Sequence, residues 1–420
     1  MAHPPISFLS RTPPTPPQIG NLQAIAQFLC NASKSLSGTL ADVLSPARMV
    51  IFGTLLTTLN KPMFAAAGGV YATFGTVAAL YWITAGKVFD RMSKGIREAP
   101  GKALIGDLAA VGGDRPEGAF GLRQALGTLG ALVGSAVAAA AFSLSGQNYV
   151  ATFALASIPA AAALLITVTA FGPMARESAA AKAAAPKKGD DLAGMSLRQK
   201  ASALASAMTP AYWQALVVVS LLYFARFDAS FITLRAKTIM PKAQLPALTS
   251  VMMVVQACLA APAGLRAKRS LADRNAVLLT GFAAMLAADA AFALLPTTAG
   301  MFVGAAAVGA HMALTHGVTL AMIASYIPVG AVPGVGKISG TCWSFTDFVF
   351  GVILAYSNSL AGRLSDATIR AGAGNVGCFV GGAAATVLSG LALVAFSTWG
   401  DLGKEDAVVV RKGGGGAKAA

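Results

Sequence analysis

Charge is scarce in this chain. Only 12% of its 420 residues are charged, whereas soluble proteins carry about 25%. Cysteine is scarce too: Cys30, Cys258, Cys342 and Cys378 are isolated, and without a C-x-x-C pair they indicate neither a disulfide framework nor a metal site. The H-E-x-x-H, G-x-S-x-G and P-loop signatures are missing as well. We therefore expect no enzyme, no cofactor and no metal.

Long apolar stretches are abundant instead, and 55% of the residues are hydrophobic. Eleven stretches follow one another: Leu22–Leu44, Met49–Ala67, Val70–Phe89, Ala119–Phe142, Tyr149–Phe171, Tyr212–Thr233, Leu248–Leu265, Ala276–Leu295, Met301–Ile327, Ile338–Leu360 and Val376–Phe396. Most are long enough to cross a bilayer as a helix, which takes ~20 apolar residues. Gly and Ala recur in them, as where transmembrane helices pack closely. The sequence predicts an all-α, multi-pass integral membrane protein with about 11 transmembrane helices.

A charged segment divides these stretches into five and six. We expect a disordered lead-in (1–20), a first transmembrane half (21–173), a linker (174–211), a second half (212–398) and a tail (399–420). The net charge of +15 is spread over loops rather than gathered in one soluble module, so we expect no nucleic-acid partner. Loops such as Ser143–Asn148 and Pro296–Gly300 contain no Lys or Arg, whereas the linker and tail are basic. The positive-inside rule then places the linker and the tail on the cytoplasmic side of the membrane. Two locations stay open for the protein, the plasma membrane and the membrane of an organelle.

The two halves carry traces of an internal repeat. A shift of 218 residues aligns Ala103–Gly118 with Ala321–Gly336, with five identities. The triplets Leu40–Asp42 and Leu271–Asp273 are identical and fall in corresponding places. Two parallel repeats around a linker are typical of secondary transporters, which bind their solute between the repeats.

The segment Asp90–Asp107, followed by Gly118–Leu126, resembles the region from the fourth to the fifth helix of the major facilitator superfamily, in a bacterial-type, efflux-like branch. Further resemblances lie in Arg226–Phe231 and His311–Gly317. Residues Gly38–Asp42 are similar to the family's G-x-x-x-D loop after its second helix, and Gly130–Gly134 to part of an exchanger motif. The positions matching family motifs, which we expect to be structural, are Gly38, Asp42, Gly95, Gly118, Gly121, Gly130 and Gly134. In particular, the G-x-x-x-G spacing of Gly130 and Gly134 predicts close approach of a neighbouring helix.

The resemblance implies a two-half helical bundle that moves a small solute across the bilayer by alternating access, without enzymatic activity. It also implies that the family's first helix is missing, because Gly38–Asp42 matches the end of the second. The alternative is a degenerate or truncated relative that acts as a non-transporting membrane scaffold or sensor. We expect a monomer whose partners are the lipid bilayer, the solute and protons.

Arg91, Lys94, Glu98 and Lys102 are spaced three, four and four residues apart, which places them on one helix face. They either form a cationic strip at the mouth of a cavity or a salt-bridged helix end, with Glu98 next to Lys94 and Lys102. Along that face Lys34, Arg91 and Lys94 outnumber Glu98, which mildly favours an anionic solute.

Other charges fall inside apolar stretches, where they are costly. Lys34 continues a polar ridge with Gln27 and Asn31, which should face a cavity or another helix. Arg226 and Asp228 are two residues apart, so they should point to opposite sides of a helix and need separate partners. With Lys34, Arg91, Lys94 and Glu98 they form our predicted substrate path.

Proton coupling needs a titratable side chain within the membrane. The candidates are Glu98, Asp289, His311 and Asp347. His311 is favoured because imidazole titrates near neutral pH. His316 lies about 140° around the helix from His311, so the pair is poorly placed to bind one metal.

Overall fold

The computed structural model describes residues 15–112, 115–146, 148–184, 202, 205–206, 208–241, 244–328, 331–332 and 336–408. The first half contains α1 (Pro16–Leu44), α2 (Pro46–Ala65), α3 (Ala67–Val111), α4 (Glu117–Leu144) and α5 (Tyr149–Ala184). The second half contains α6 (Pro210–Ala225), α7 (Ser230–Ala236), α8 (Leu245–Ala267), α9 (Leu271–Leu294), α10 (Thr298–Ser325), α11 (Ser339–Arg370) and α12 (Gly377–Thr398). Among the described residues, two short strands pair antiparallel, β1 (Ala331–Val332) with β2 (Gly336–Lys337). A 3₁₀ turn lies after α12, at Glu405–Ala407.

Two helix ends differ from the predicted boundaries. Helix α1 begins at Pro16, so residues 16–20 of the expected disordered lead-in are helical, because proline is well tolerated in the first turn. Helix α5 continues past residue 173 to Ala184 through an alanine-rich run of high helix propensity. The rest of the lead-in (1–14), most of the predicted linker (185–201) and the end of the tail (409–420) lie outside the described residues.

Seven described segments are long and apolar enough to cross a membrane: α4, α5, α6 with α7, α8, α9, α10 and α12. Helix α2 and the start of α3 form a further apolar pair, bent by 61°. Each of the eleven predicted stretches coincides with a helix, which confirms the all-α, multi-pass prediction. The more polar helices α1 and α11 pack against each other along their length, and the polar residues Asn31, Asp347 and Asn358 are buried in this pair.

Backbone irregularities mark where helices turn or break. The predicted loop Gly38–Asp42 is instead helical, and the chain turns between α1 and α2 at Ser45, whose φ is 137°. Gly75 has φ 82° and ψ −175°, a conformation open to glycine, and it kinks α3. Residues Arg226–Ala229 separate α6 from α7 and form a break inside one apolar span.

The helix contacts repeat between the halves. In the first half α2 contacts α3 and α5, and α1 contacts α3; in the second, α9 contacts α10 and α12, and α8 contacts α10. Between the halves, α1 packs on α11 and α4 packs on α8. When α1 is matched with α8 and α4 with α11, each of these two contacts is the equivalent of the other. Helices α1–α5 therefore correspond to α8–α12. Helix α6 packs on α10, α11 and α12, and the α6–α7 segment lacks a counterpart in the described first half.

The halves also meet at the end of the bundle where α5 ends and α6 begins, here called the linker end. Arg115, between α3 and α4, donates to Glu405 at 2.6 Å. Arg274 of α9 is fully buried and donates to the Tyr326 hydroxyl and the Leu402 carbonyl, each at 3.0 Å. The segment after α12 thus holds both halves together at the linker end.

Helices α4 and α8 approach closely at two glycines. A Cβ on Gly121 would lie 2.8 Å from the Gly264 Cα and 2.9 Å from the Ala260 carbonyl oxygen, so backbone atoms occupy the space of a side chain. Small residues permit such approach between transmembrane helices.

We predict that Gly121→Leu destabilises the protein by about 1–3 kcal/mol, the usual result of overpacking. Gly130→Leu on the same helix is the matched control, because nothing in the described structure lies within 4 Å of a Cβ built on Gly130. The measurement is the thermal midpoint of each purified variant in detergent. Equal midpoints for the two variants would contradict the close packing of α4 on α8.

Candidate functional site

A buried ion pair joins the halves. Lys102 Nζ of α3 lies 2.6 Å from Asp347 Oδ1 of α11, and each side chain is 4% exposed. The ammonium group also lies 5.4 Å from the centre of the Trp343 ring, a cation–π contact. Lys102 was predicted to extend a cationic strip or a salt-bridged helix end, and the structure places it in an ion pair between helices from the two halves.

Glu98 extends this pair into a chain of alternating charges. Its carboxylate lies 3.6 Å from Lys102 and 2.9 Å from Lys34 of α1. Lys34, Glu98, Lys102 and Asp347 therefore connect α1, α3 and α11. The polar ridge of Lys34 faces other helices, as expected, and Asn31 is buried where Gly351 of α11 leaves room for it.

The predicted cationic strip divides into two parts. Lys94 pairs with Asp90, one turn before it, rather than with Glu98, and Asp90 also accepts from Asn60 Nδ2 at 2.9 Å. Arg91 is exposed, whereas Lys102 is buried. Glu98 was predicted as the acid of this face. Asp90 was missed, although the spacing of four residues between Asp90 and Lys94 is visible in the sequence. The excess of positive charge at Lys94 is therefore smaller than expected.

The break between α6 and α7 places Arg226 against α10. Arg226 Nε donates to His311 Nε2 at 3.0 Å, and the other end of the guanidinium donates to the Thr315 hydroxyl. The guanidinium carbon lies 5.2 Å from the centre of the Tyr223 ring. All partners of Arg226 within the described chain are uncharged. Its positive charge is therefore solvated by dipoles and a ring, not by a carboxylate.

The contacts of His311 fix its protonation. Arginine can only donate, so His311 Nε2 must be the acceptor and carries no proton. Its Nδ1 lies 2.8 Å from the Gly281 carbonyl and must be the donor there. The buried ring is therefore neutral in this arrangement. A second proton, on Nε2, would be incompatible with the bond from Arg226.

Asp228 and Arg226 do not pair with each other. The Asp228 backbone N–H donates to Asn358 Oδ1 at 2.7 Å, and its carboxylate accepts from the Ser230 N–H at 2.9 Å. Asp289 is 2% exposed, and its Oδ2 has no hydrogen-bond partner among the described residues. Glu98 and Asp347 are engaged with lysines, so His311 and Asp289 are the candidates whose protonation would not break an ion pair.

His316 lies where charges from both halves converge. It interacts electrostatically with Arg226 of its own half and with Lys102, Arg123 and Glu98 of the first half. In the sequence, His316 was considered only as a poor metal ligand, and it was not among the residues predicted for the substrate path or for proton coupling. The next residue, Gly317, packs against the Phe120 carbonyl of α4, and this close approach of α10 to the first half could not be read from the sequence.

The first half contains a cavity of about 560 Å³ between α2, α3, α4 and α5. Its charged lining is Lys94, Arg97, Glu98 and Arg123. Arg97 and Arg123 were also missed in the sequence. Three of these four charges are positive, so the cavity carries a positive potential that favours negatively charged groups.

The family-motif positions have different surroundings. Gly121 is in close packing, the Gly95 carbonyl accepts from Ser37 at 2.9 Å, and a Cβ on Gly118 would lie 3.3 Å from the Lys268 side chain. Gly38 and Asp42 lie in α1, and their side-chain environments are outside the described structure. No described neighbour approaches Gly130 or Gly134 within 4 Å, so their predicted packing role stays a prediction.

Neither a family model nor a curated protein matches this sequence. Solved structures do match. The human organic anion transporter MFSD10 (TETRAN) has a TM-score of 0.60 at 17% identity, over 89% of this chain and 82% of that one. The major facilitator superfamily transporter FucP, in the outward conformation, has a TM-score of 0.61 at 13% identity, over 92% and 91%. A bacterial homologue of the iron transporter ferroportin has 0.58 at 15%, over 89% of each chain.

We predict that Lys102→Met destabilises the protein by about 3–5 kcal/mol, because it leaves the Asp347 carboxylate buried and unpaired. The double variant Lys102→Met/Asp347→Leu should recover much of that loss, since an apolar pair of similar volume removes the uncompensated charge. Thermal midpoints and denaturation in detergent measure both.

The control for this prediction is Arg370→Met, which breaks the exposed pair of Arg370 with Asp366 and should leave the midpoint unchanged. A double variant no more stable than Lys102→Met would show that the pair does not carry the interface between the halves.

Proposed function

Because the chain has the fold of major facilitator superfamily transporters, we propose that it is a secondary transporter that moves a small anionic solute by alternating access between its two halves. The observation that carries this proposal is Arg226, a cation in a helix break whose described partners are all uncharged. Broken helices supply substrate-binding groups near the bilayer midplane in secondary transporters. A carboxylate or other anionic group on the solute would complete the compensation of this charge.

The surroundings support an anion rather than a cation. Lys102 and Arg123 of the first half reach the same region, since both interact with His316 together with Arg226. The acids there are Glu98, which is shared between Lys34 and Lys102, and Asp347, which is paired with Lys102. One of the matched structures is described as an organic anion transporter, which agrees with this chemistry without fixing the solute of this chain.

His311 couples the proposed site to protons. Protonation of Nε2 would place a second cation against Arg226 and remove the acceptor that holds it. Arg226 would then turn from His311 toward the space between the halves, where the anion binds. The protein would thus bind the proton and the anion together and carry both in the same direction, as a symporter does.

The competing function is a membrane scaffold or sensor that transports nothing. Its support is that Glu98, Lys102 and Asp347 pair with one another inside the bundle, as charges with a purely structural role do. A scaffold needs Arg226 only for stability, whereas a transporter needs it for binding.

We predict that Arg226→Gln weakens anion binding by roughly 30-fold or more, because losing one member of a desolvated charge pair costs 2 kcal/mol or more. Arg226→Lys should retain part of the affinity, and the exposed control Arg266→Gln should retain all of it. Uptake from a mixed anion library into proteoliposomes, with thermal stability measured in parallel, checks this. Loss of stability in Arg226→Gln, together with no anion uptake by the parent, would favour the scaffold.

We predict that His311→Gln preserves anion binding but abolishes stimulation of uptake by a proton gradient. Glutamine can still accept from Arg226 but does not titrate. Asp289→Asn is the comparison, since Asp289 is the other buried candidate outside an ion pair. Uptake with and without an imposed pH gradient separates them: gradient-dependent uptake that persists in His311→Gln and disappears in Asp289→Asn would assign the coupling to Asp289.

A further inference from the structure

The break between α6 and α7 leaves backbone carbonyl groups without hydrogen-bond donors. Among the described residues, no hydrogen bond reaches the carbonyl oxygens of Ala225, Arg226 and Phe227. The carbonyl before them, that of Phe224, accepts from Ser357 Oγ at 2.6 Å. The C-terminal end of a helix carries a partial negative charge and attracts cations. The break therefore presents several oxygen atoms that a positively charged partner would satisfy.

Asp289 of α9 is a buried acid that lacks a partner. Its side chain is 2% exposed, and its Oδ2 accepts no hydrogen bond among the described residues. No described Lys, Arg or His forms an ion pair with it either. An isolated carboxylate in an apolar interior is costly, so it either stays protonated or binds a cation.

Gly382 of α12 brings this acid and one of the free carbonyls together. A Cβ built on Gly382 would lie 3.1 Å from Asp289 Oδ2 and 3.2 Å from the Ala225 carbonyl oxygen, so both oxygens face the same point. The ring of Phe227 lies 3.1 Å from that point, where a cation could also meet its π electrons. A cavity of about 30 Å³ reaches Gly382 and Phe227 and has room for a water molecule.

The charge and the number of these oxygens determine which ion fits. One carboxylate is neutralised by one positive charge, whereas a divalent ion would leave an excess charge in the apolar interior. A proton on Asp289 would form one O–H group and satisfy one carbonyl, whereas a metal cation binds several oxygens at once. Carboxylate, carbonyl and water oxygens are the ligands that hard cations prefer. The guanidinium of Arg226 does not meet this need, because it is directed at His311 and Thr315 of α10.

We propose that Asp289, the free carbonyls of the α6–α7 break and water from the adjoining cavity bind a monovalent metal cation, for which sodium is the test ion. The Asp289 carboxylate and the Ala225 carbonyl are the two ligands that Gly382 brings together. In secondary transporters, carbonyls at unwound helix ends coordinate such ions. The site lies within the second half and is separate from the contact of Arg226 with His311. This inference goes beyond the proposed anion transport and does not depend on it.

The test measures binding of radioactive sodium to the purified full chain in lipid nanodiscs, at fixed pH and without added organic anion. We expect saturable binding of one ion per chain, displaced by unlabelled sodium but not by choline. Sodium chloride should also raise the thermal midpoint above that in choline chloride at equal ionic strength, since a ligand of the folded state stabilises it. Absence of saturable binding would leave Asp289 with a proton at most and would overturn the proposal.

Two pairs of variants locate the ion. Asp289→Asn removes the charged ligand at nearly constant shape and should abolish saturable binding, whereas Asp366→Asn, which removes the acid of a surface ion pair on α11, should leave binding unchanged. Gly382→Ala places a methyl group against both oxygens and should weaken binding about tenfold or more. Gly381→Ala is its matched control on the same helix, because a Cβ there would meet only the flexible end of the Leu364 side chain, at 2.7 Å.

Sodium binding that persists in Asp289→Asn, or equal weakening in Gly381→Ala and Gly382→Ala, would overturn the proposal. If Asp289→Asn does not fold, the two glycine variants decide alone. Loss of anion uptake in the parent protein would leave the proposal standing, because sodium binding is measured without transport.

Discussion

The compensation of charge away from water is the constraint on which this structure depends. An uncompensated ion in the membrane interior is costly, and the charged side chains that join α1, α3 and α11 lie against opposite ones. Lys34, Glu98, Lys102 and Asp347 alternate in sign from α1 through α3 to α11. Because these partners come from both halves, the requirement for compensation also determines which faces of the halves meet. Arg226 lies outside this chain of ion pairs and, like the buried Arg274, has only dipoles and a ring as partners among the described residues.

The helices could be predicted from the sequence because the thickness of the bilayer sets their length. The eleven apolar stretches are helical for that reason, apart from the break Arg226–Ala229 inside the sixth. The loop expected at Gly38–Asp42 was misplaced, because the motif does not determine at which residue the chain turns, and the turn lies at Ser45. Ion pairs within one helix could also be predicted from the sequence, since Glu98 and Lys102 are four residues apart. The pair of Lys102 with Asp347 was not, since the two residues are 245 positions apart and a single sequence does not show which helix faces meet.

The candidate site shows the same limit. The sequence predicted that Arg226 and Asp228 do not pair with each other, because a helix places residues two apart on different sides, and the structure agrees. Their actual partners, His311 and Asn358, belong to other helices and follow from tertiary packing alone. The break at Arg226–Ala229 was also missed, because the apolar stretch Tyr212–Thr233 contains neither glycine nor proline to indicate it. His316, Arg97 and Arg123 become site residues only when α3, α4 and α10 converge.

The chain of alternating charges would also suit the proposed alternating access, in which the two halves separate and rejoin. At the linker end, Lys102–Asp347 and Arg115–Glu405 hold the halves together, and breaking a buried pair normally strands an ion. Lys102 avoids this, because Glu98 lies 3.6 Å away on the same helix and stays with it when α11 moves. Asp347 has no such neighbour among the described residues, and its Oδ2 already has no hydrogen-bond partner there. In the proposed transport cycle, Asp347 would therefore be the member of the pair left without an opposite charge when the linker end opens, so the cost of opening would fall on α11 rather than on α3.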